Sequence, residues 1–313
     1  MTETGPEIAV LIPCKDEAIS LPKVISDFRM HLPHARIYIG DNNSTDSTAD
    51  VARNLGCEVI FELIPGKGNV VRRLMREVHA DYFLIVDGDD TYNAETALKM
   101  LKEMKKNNLD MVVAARQTPI EKTKDERPGH LIGNKVINKF FNFLFKTEFS
   151  DVLSGYRLLD SNFAKTFPSK SSGFEIEVEL NAHASWMNAS VVELNSEYSS
   201  RKDGSTSKLR TFSDGYRILK EIYLLSIRLK PIRHFLIFFS IAFVSSIVLI
   251  SRAAVPYFDT GKVDNMPSLV VGMGLLVLYF VLWVGFLVIE QLNSSQQTIV
   301  NLIRHLNSSN DKK

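Results

Sequence analysis

Asp87, Asp89 and Asp90 fall within four positions of one another at the end of the apolar run FLIVD, in the stretch FLIVDGDDTYNAET. Three carboxylates so close repel one another unless they share something positive. An all-oxygen cluster without soft ligands suits Mg2+ or Mn2+, and Mg2+ commonly takes one or two carboxylates and completes its shell with substrate phosphates. The plain alternative is an acidic turn ahead of a helix, where the helix dipole favours Asp and Glu. A second potential phosphate contact is GKG, Gly66 to Gly68. Its glycines permit close backbone approach and Lys67 offers a counter-charge, although the same three residues also make an ordinary turn.

The elements that would carry these groups read as strands alternating with helices. IAVLIPC (Ile8–Cys14), ARIYIGD (Ala35–Asp41), CEVIFEL (Cys57–Leu63), YFLIVD (Tyr82–Asp87) and MVVAAR (Met111–Arg116) are short apolar runs. STADVARNLG and NAETALKMLKEMKKNN between them have helical apolar spacing. Such alternation implies an α/β fold, a mainly parallel Rossmann-like sheet with helices on both faces. Ligands of these sheets bind beyond the carboxyl ends of the strands. Pro13 to Glu17, Asp41 to Asp46 and Asp87 to Asp90 are therefore expected to converge on one crevice.

The chain has 313 residues, enough for one large domain or two smaller ones, and 37 basic against 36 acidic residues give no bulk-charge reason to expect nucleic acid. Two cysteines, Cys14 and Cys57, are too few for a disulfide framework and fit buried thiols in a reducing compartment. The acidic start MTETGPEIAV lacks the long apolar core of a secretory signal. His79 and His183 have no partners at metal-ligand spacing, and Trp186 reads as packing.

From Phe235 onward the chain changes character. FLIFFSIAFVSSIVLIS (Phe235–Ser251) and SLVVGMGLLVLYFVLWVGFLVI (Ser268–Ile289) carry no charge and approach the roughly 20 residues of a bilayer-spanning helix. The segment between them has zero net charge, whereas residues 199–233 hold nine Lys or Arg against three acids. The positive-inside rule then puts both ends of the hairpin in the cytoplasm. The expected organisation is a cytoplasmic catalytic domain over 1–212, a juxtamembrane amphipathic helix over 213–233, a transmembrane hairpin over 234–290 and a cytoplasmic tail over 291–313. HLIGNKVINKFFNFLFK (His130–Lys146) and DGYRILKEIYLLSIRLK (Asp214–Lys230) mix helically spaced apolar residues with Lys and Arg, as interfacial helices do, although core-facing helices share the pattern.

IPCKDEA, IGDNNSTDST, IPGKGNVVRR, VDGDD, SDVLSGYRLLD, GFEIEVEL and RKDGSTSKL occur in the order and approximate spacing of family-2 inverting glycosyltransferases of the GT-A fold. The chain most resembles the branch containing dolichol-phosphate mannose synthase and the bacterial polyprenyl-phosphate glycosyltransferases with two C-terminal membrane helices. That resemblance implies transfer of a hexose from a UDP- or GDP-sugar to a polyprenyl phosphate, in an integral membrane protein whose catalytic domain faces the cytoplasm, in bacteria at the inner membrane. It further implies a cell-envelope polysaccharide context and leaves a homo-oligomer open.

Residue by residue, the resemblance makes Asp87-Gly88-Asp89 the motif that bridges the donor diphosphate through Mg2+ or Mn2+, with Asp89 as first ligand and Asp90 or water completing the shell where the branch has Gln at the place of Thr91. Pro13, Asp16, Glu17, Asp41, Asn43 and Lys67 would join Asp87 and Gly88 around the nucleotide sugar. Lys15-Asp16 stands where the pattern reads aromatic-Asn. Asp151 and Glu177 are the carboxylates expected near the acceptor, each equally able to orient Arg157 or a loop. Arg157, Arg201, Ser205, Ser207 and Lys208 would grip the acceptor phosphate, in a loop one residue longer than in the mannose-synthase pattern. A phosphate acceptor brings its own anionic oxygen, which leaves the protein mainly positioning and charge stabilisation to supply.

Three rivals come from other classes. DGDDT also fits the aspartyl-phosphatase pattern DxDx[TV], with Asp87 as nucleophile, but that motif ends the first strand of its domain and here it ends the fourth. A non-catalytic anchored module would not need every polar cluster at the strand ends. A processive synthase would carry Gln-x-x-Arg-Trp, which neither Trp186 nor Trp283 supplies. A family-2 enzyme with a different acceptor also stays open.

Overall fold

Continuous apolar runs become the central strands, because a strand covered on both faces has no place for polar alternation. A computed structural model of the chain describes residues 6–117, 130–168, 170–199, 211–263 and 265–310. Arg201, Ser205, Ser207 and Lys208 lie outside the described residues. The chain divides into two units, Met1–Leu225 with Ile303–Lys313, and Ser226–Leu302.

In the first unit, β1 (Ile8–Cys14), β2 (Arg36–Asp41), β3 (Glu58–Phe61), β4 (Tyr82–Ile85), β5 (Met111–Gln117), β6 (Arg157–Asp160) and β7 (Val191–Glu197) form one sheet of order β3-β2-β1-β4-β6-β5-β7. All pairings are parallel except those of β6, which runs antiparallel between β4 and β5. The α/β, mainly parallel expectation is met. β6 and β7 go beyond the sequence reading, because four residues, RLLD, are too few to show a period, and VVELNSE carries polar residues on a sheet edge.

Helices α1 (Leu21–His31), α2 (Thr48–Asn54), α3 (Lys67–Glu77) and α4 (Glu95–Asn107) follow the first four strands, and α5 (His130–Phe145), α6 (Ser161–Thr166) and α7 (Ile176–Met187) complete the sheet's covering. Val10, Ile12 and Cys14 share one core layer with Leu21, Val24, Ile25 and Phe28 of α1 and Met100 and Met104 of α4. Helix α3 packs on β1 and β2. Helix α5 does two things at once. Phe141 and Phe145 are stacked in the core, while Ile132, Val136 and Phe143 are exposed on its outer side.

Helix α8 (Thr211–Leu229) leads into α9 (Ile232–Thr260) and α10 (Met266–Asn310). Two helices are long and apolar enough to cross a membrane, over Phe239–Phe258 and Met266–Arg304. The polar Ser246 within the first is buried and donates to the Gly272 carbonyl at 2.9 Å, while Ser268 donates to Leu249 at 2.9 Å. A β-carbon on Gly272 would lie 2.8 Å from Ile250 Cγ1, so glycine permits this close approach. The expected tail from residue 291 is helical as far as Asn310, because no Gly or Pro interrupts EQLNSSQQTIVNLIRHL and its apolar residues recur at helical spacing.

Gly40 marks the tightest packing of sheet against helix. A β-carbon there would collide with Val70 Cγ1 and lie 2.8 Å from Leu74 Cδ1 of α3. Gly40→Ala should therefore destabilise the first unit by about 1–3 kcal/mol, seen as a lower thermal midpoint. An unchanged midpoint would contradict this packing.

Candidate active site

The strand order places the carboxyl ends of β2, β1 and β4 side by side, and the loops leaving them are stitched together. Asp16, at φ +50°, accepts from Thr45 N at 2.6 Å, and Asp16 N donates to Ser44 Oγ at 3.0 Å. The Thr45 N–H is the main reason the Asp16 carboxyl is held below the usual carboxylate range. Asp46 accepts from Ala18 N, and Thr48 Oγ1 accepts from Glu17 N at 2.9 Å. Ser20 donates to the carbonyl of Gly88 at 2.7 Å. Asp41, buried at the end of β2, accepts from Ser44 N at 2.8 Å. Asn42 and Asn43 donate to carbonyls of the next loop, at Glu62, Ile64 and Leu63. Pro13, at the end of β1, is half-buried beside them. The first two clusters thus form one rigid rim. Asp16 and Asn43 serve it as staples together with Asn42 and Asp46 of the same expected cluster, and Thr48 joins them as a residue the sequence did not single out.

Gly88 fits where a side chain could not, since its β-carbon would lie 2.8 Å from Cys14 Sγ and 3.3 Å from Ile12 Cγ2. The acids around it diverge. Asp87 binds the Lys67 ammonium at 2.5 Å, Asp89 accepts from Thr91 Oγ1 at 2.6 Å, and Asp90 pairs with Lys23 of α1 at 2.7 Å. Among the described residues no three His, Cys, Asp or Glu side chains gather as a metal site. Asp90, expected with water as the alternative to complete the metal's shell, has a φ of +60° and its carboxylate on Lys23. Asp87 and Asp89 are left flanking the glycine. Two oxygen-donor carboxylates fit a Mg2+ or Mn2+ ion that takes its remaining ligands from phosphate.

Lys67 is the hub. Its ammonium lies between Asp87 and Glu177 Oε1, at 2.5 and 2.6 Å. Burial alone would lower its pKa, but the two carboxylates outweigh burial and raise it. Burial raises the pKa of Glu177 against the opposing pull of Lys67. Glu177 Oε2 is buried and has no hydrogen-bond partner among the described residues. Gly155 closes the other side, where a β-carbon would lie 2.6 Å from Asp87 Oδ2 and 2.8 Å from Lys67 Nζ.

Asp151 takes the second of the two roles open to it, holding the chain around it in place. Arg116 grips it through Nε at 2.7 Å and Nη2 at 2.8 Å, and Arg116 N and Leu153 N also donate to it. Burial would raise its pKa, but the Arg116 contacts dominate and lower it. Its oxygens are committed to structure. Arg157, expected at the acceptor phosphate, is 1% exposed, with its guanidinium bonded to the Ser154 and Val152 carbonyls, Asn181 Oδ1 and Met111 Sδ, and these internal acceptors hold it in the core.

Arg116, Tyr92 and Tyr198 were missed. The Arg116 guanidinium lies 5.5 Å from the Tyr198 ring, Tyr198 packs edge-on to Tyr92, and the Tyr92 hydroxyl accepts from Gly155 N at 3.0 Å. Arg116 did carry a signal, a charge ending a buried strand like those at Asp41 and Asp87. His183 packs among Phe163, Phe167 and Trp186, and burial, with Arg304 adding to it, pushes its pKa down to about 4, as befits a packing histidine.

Residues 9–166 match the family model described as Glycosyl transferase family 2. The glycosyltransferase AglJ of Haloferax volcanii is 33% identical over 226 residues, 70% of this chain and 72% of its own length. The chain belongs to glycosyl transferase family 2. This glycosyltransferase is also 54% identical to Protein RfbJ of Shigella flexneri over 110 residues, 35% of the chain and 85% of that protein. Among solved structures it resembles the glucosyl-3-phosphoglycerate synthase of Mycobacterium tuberculosis in complex with Mn2+, UDP and glucosyl-3-phosphoglycerate. The TM-score is 0.56 at 14% identity, over 71% of this chain and 79% of that one, and the shared fold is GT-A.

For the glycosyltransferase, Asp151→Asn should cost about 3 kcal/mol at neutral pH, because it leaves the Arg116 charge uncompensated. The lowered folded-state pKa of Asp151 adds stability above the ordinary carboxylate value of about 3.9, and that contribution is lost as pH falls through the folded value. The thermal-midpoint gap between wild type and variant should therefore narrow below about pH 4. A gap independent of pH would contradict the ion pair.

Proposed function

We propose that the chain transfers a hexose, with inversion, from a UDP- or GDP-sugar to a polyprenyl phosphate at the cytoplasmic face of a membrane, in bacteria the inner one, in the assembly of a cell-envelope glycan. The observation that carries the acceptor reading is the tie between Ser199 N and the Thr91 carbonyl at 2.9 Å. It begins the basic segment containing Arg201, Ser205, Ser207 and Lys208 two residues from Asp89. The same segment ends in α8, which leads to two helices apolar enough to cross a bilayer. On α10, Val270, Val277 and Val281 are each more than 60% exposed, a surface suited to lipid. The relative Agl6 of Haloferax volcanii, 26% identical over 220 residues, is named a low-salt glycan biosynthesis hexosyltransferase, which supports a glycan role.

In this reading Lys67 meets the donor diphosphate, and Asp87 and Asp89 hold Mg2+ or Mn2+. When bound, the metal supplies Lewis-acid stabilisation of the charge on the departing nucleoside diphosphate. Gly88 and Gly155 keep the floor free of side chains. The acceptor phosphate oxygen forms the new bond to the anomeric carbon on the face opposite the bond that breaks. Being already anionic, it needs no strong base, in keeping with the commitment of Asp151 to Arg116. Glu177 fixes Lys67 through one oxygen and keeps the other for a polar group of the bound substrates. Arg201 and Lys208 offer the acceptor phosphate charge-assisted hydrogen bonds, with Ser205 and Ser207 as hydroxyl donors.

The test is incubation of membranes containing the protein with radiolabelled UDP- and GDP-sugars plus polyprenyl phosphate, followed by organic extraction. One donor should label a lipid whose sugar is released by mild acid. Asp89→Asn, with unchanged expression and thermal midpoint, should lose at least a hundredfold of this transfer, and EDTA should remove it reversibly from the wild type. Label confined to a water-soluble product would overturn the acceptor assignment. Full Asp89→Asn activity in EDTA would overturn the metal assignment.

A further inference from the structure

Resting on the donor site proposed above, we infer that Glu175 and Arg217 are positioning residues through which the helix entering the membrane hairpin sets the donor loop. The donor loop Gly66–Gly68 does not stand alone. At Gly66, φ is +130°, and a β-carbon would collide with the Ser172 carbonyl. Gly68 N donates to that carbonyl at 3.0 Å, and a β-carbon on Gly68 would collide with the carbonyl of Ser171. The Phe174 ring lies 5.9 Å from Lys67 Nζ, and Glu177 holds the same ammonium. One short segment therefore sets both the backbone and the charged tip of the donor loop.

Glu179 fixes the start of that segment through Lys170 N and Ser171 N. Its middle is fixed from elsewhere. The Glu175 carboxylate, largely buried, meets Arg217 of α8 at 3.3 Å. Gly173 makes room for it, since a β-carbon at Gly173 would lie 2.5 Å from Glu175 Oε2. Helix α8 is the stretch of chain between the basic loop and α9, so a shift of α8 reaches the Lys67 loop through one ion pair and a few backbone contacts. Donor affinity then depends on how α8 is seated. Neither residue touches the reacting atoms.

Arg217 is 62% exposed on its side chain, so the pair is modest in strength and its effect is expected to be graded. Glu175→Arg and Arg217→Glu should each raise the donor KM about two- to fivefold, with kcat within a factor of two and the thermal midpoint unchanged. The double exchange should restore the KM. Nucleoside diphosphate affinity with Mn2+, measured by calorimetry on the full chain, should follow the same pattern. Glu175→Gln provides a gentler variant should the reversal disturb folding, with a smaller rise in KM. Unchanged KM in the single variants, or a double variant showing the product of the two single effects, would overturn the coupling. If the wild type binds no nucleoside diphosphate, the donor reading itself fails and the inference with it.

Discussion

One ammonium held between two acids organises the crevice. Lys67 lies on the first turn of α3, Asp87 follows β4, and Glu177 opens α7, so three distant parts of the chain meet at one buried nitrogen. Taking either acid away leaves an uncompensated charge in a low-dielectric site, which is costly. The cluster holds two carboxylates for one cation and leaves Glu177 Oε2 without a partner among the described residues, an arrangement suited to receive a further cation or hydrogen-bond donor. A donor diphosphate arriving with a divalent ion would bring two negative groups for Lys67 and a positive one for Asp87. The cluster is thus electrostatically poised for an exchange of partners.

The surrounding fold exists to hold that geometry. Parallel strands carry their loops to one end of the sheet, and the turn into the antiparallel β6 brings Gly155 back against Asp87. The Arg116–Asp151 fork then locks the end of β5 to the loop before β6, and Tyr92 props Gly155 from beneath. Each contact replaces loop freedom with a hydrogen bond between charged or backbone groups, the kind of preorganisation on which electrostatic stabilisation of a leaving group depends.

Much of this was legible in the sequence, for a physical reason. A charge that ends a buried apolar run must sit at a strand mouth, so Asp41 and Asp87 announced themselves, as did the α/β order. The pairings were not legible. Asp151 and Arg116 are 35 positions apart with no periodicity linking them, so the sequence left Asp151 open between an acceptor role and a structural one, and its oxygens are taken by Arg116 and Leu153 N. Arg157 was expected at the acceptor phosphate only through the family resemblance, yet its guanidinium is taken up by two carbonyls, Asn181 Oδ1 and Met111 Sδ in the core. The Asp90–Lys23 pair was equally hidden, because adjacency to Asp89 in sequence says nothing of a left-handed backbone at Asp90 or of a lysine 67 positions away.

The central claim is that Lys67 is the donor diphosphate's partner, and it can be read without any transfer assay. UDP and GDP would be titrated calorimetrically, with Mn2+, into the detergent-solubilised full chain and its Lys67→Met variant. A charge-assisted hydrogen bond is worth roughly 1.5–3 kcal/mol, so the account predicts binding of one nucleotide weakened about ten- to a hundredfold in the variant, titrated well below its thermal midpoint because loss of the buried cation itself lowers stability. Equal affinities in the two proteins would contradict it.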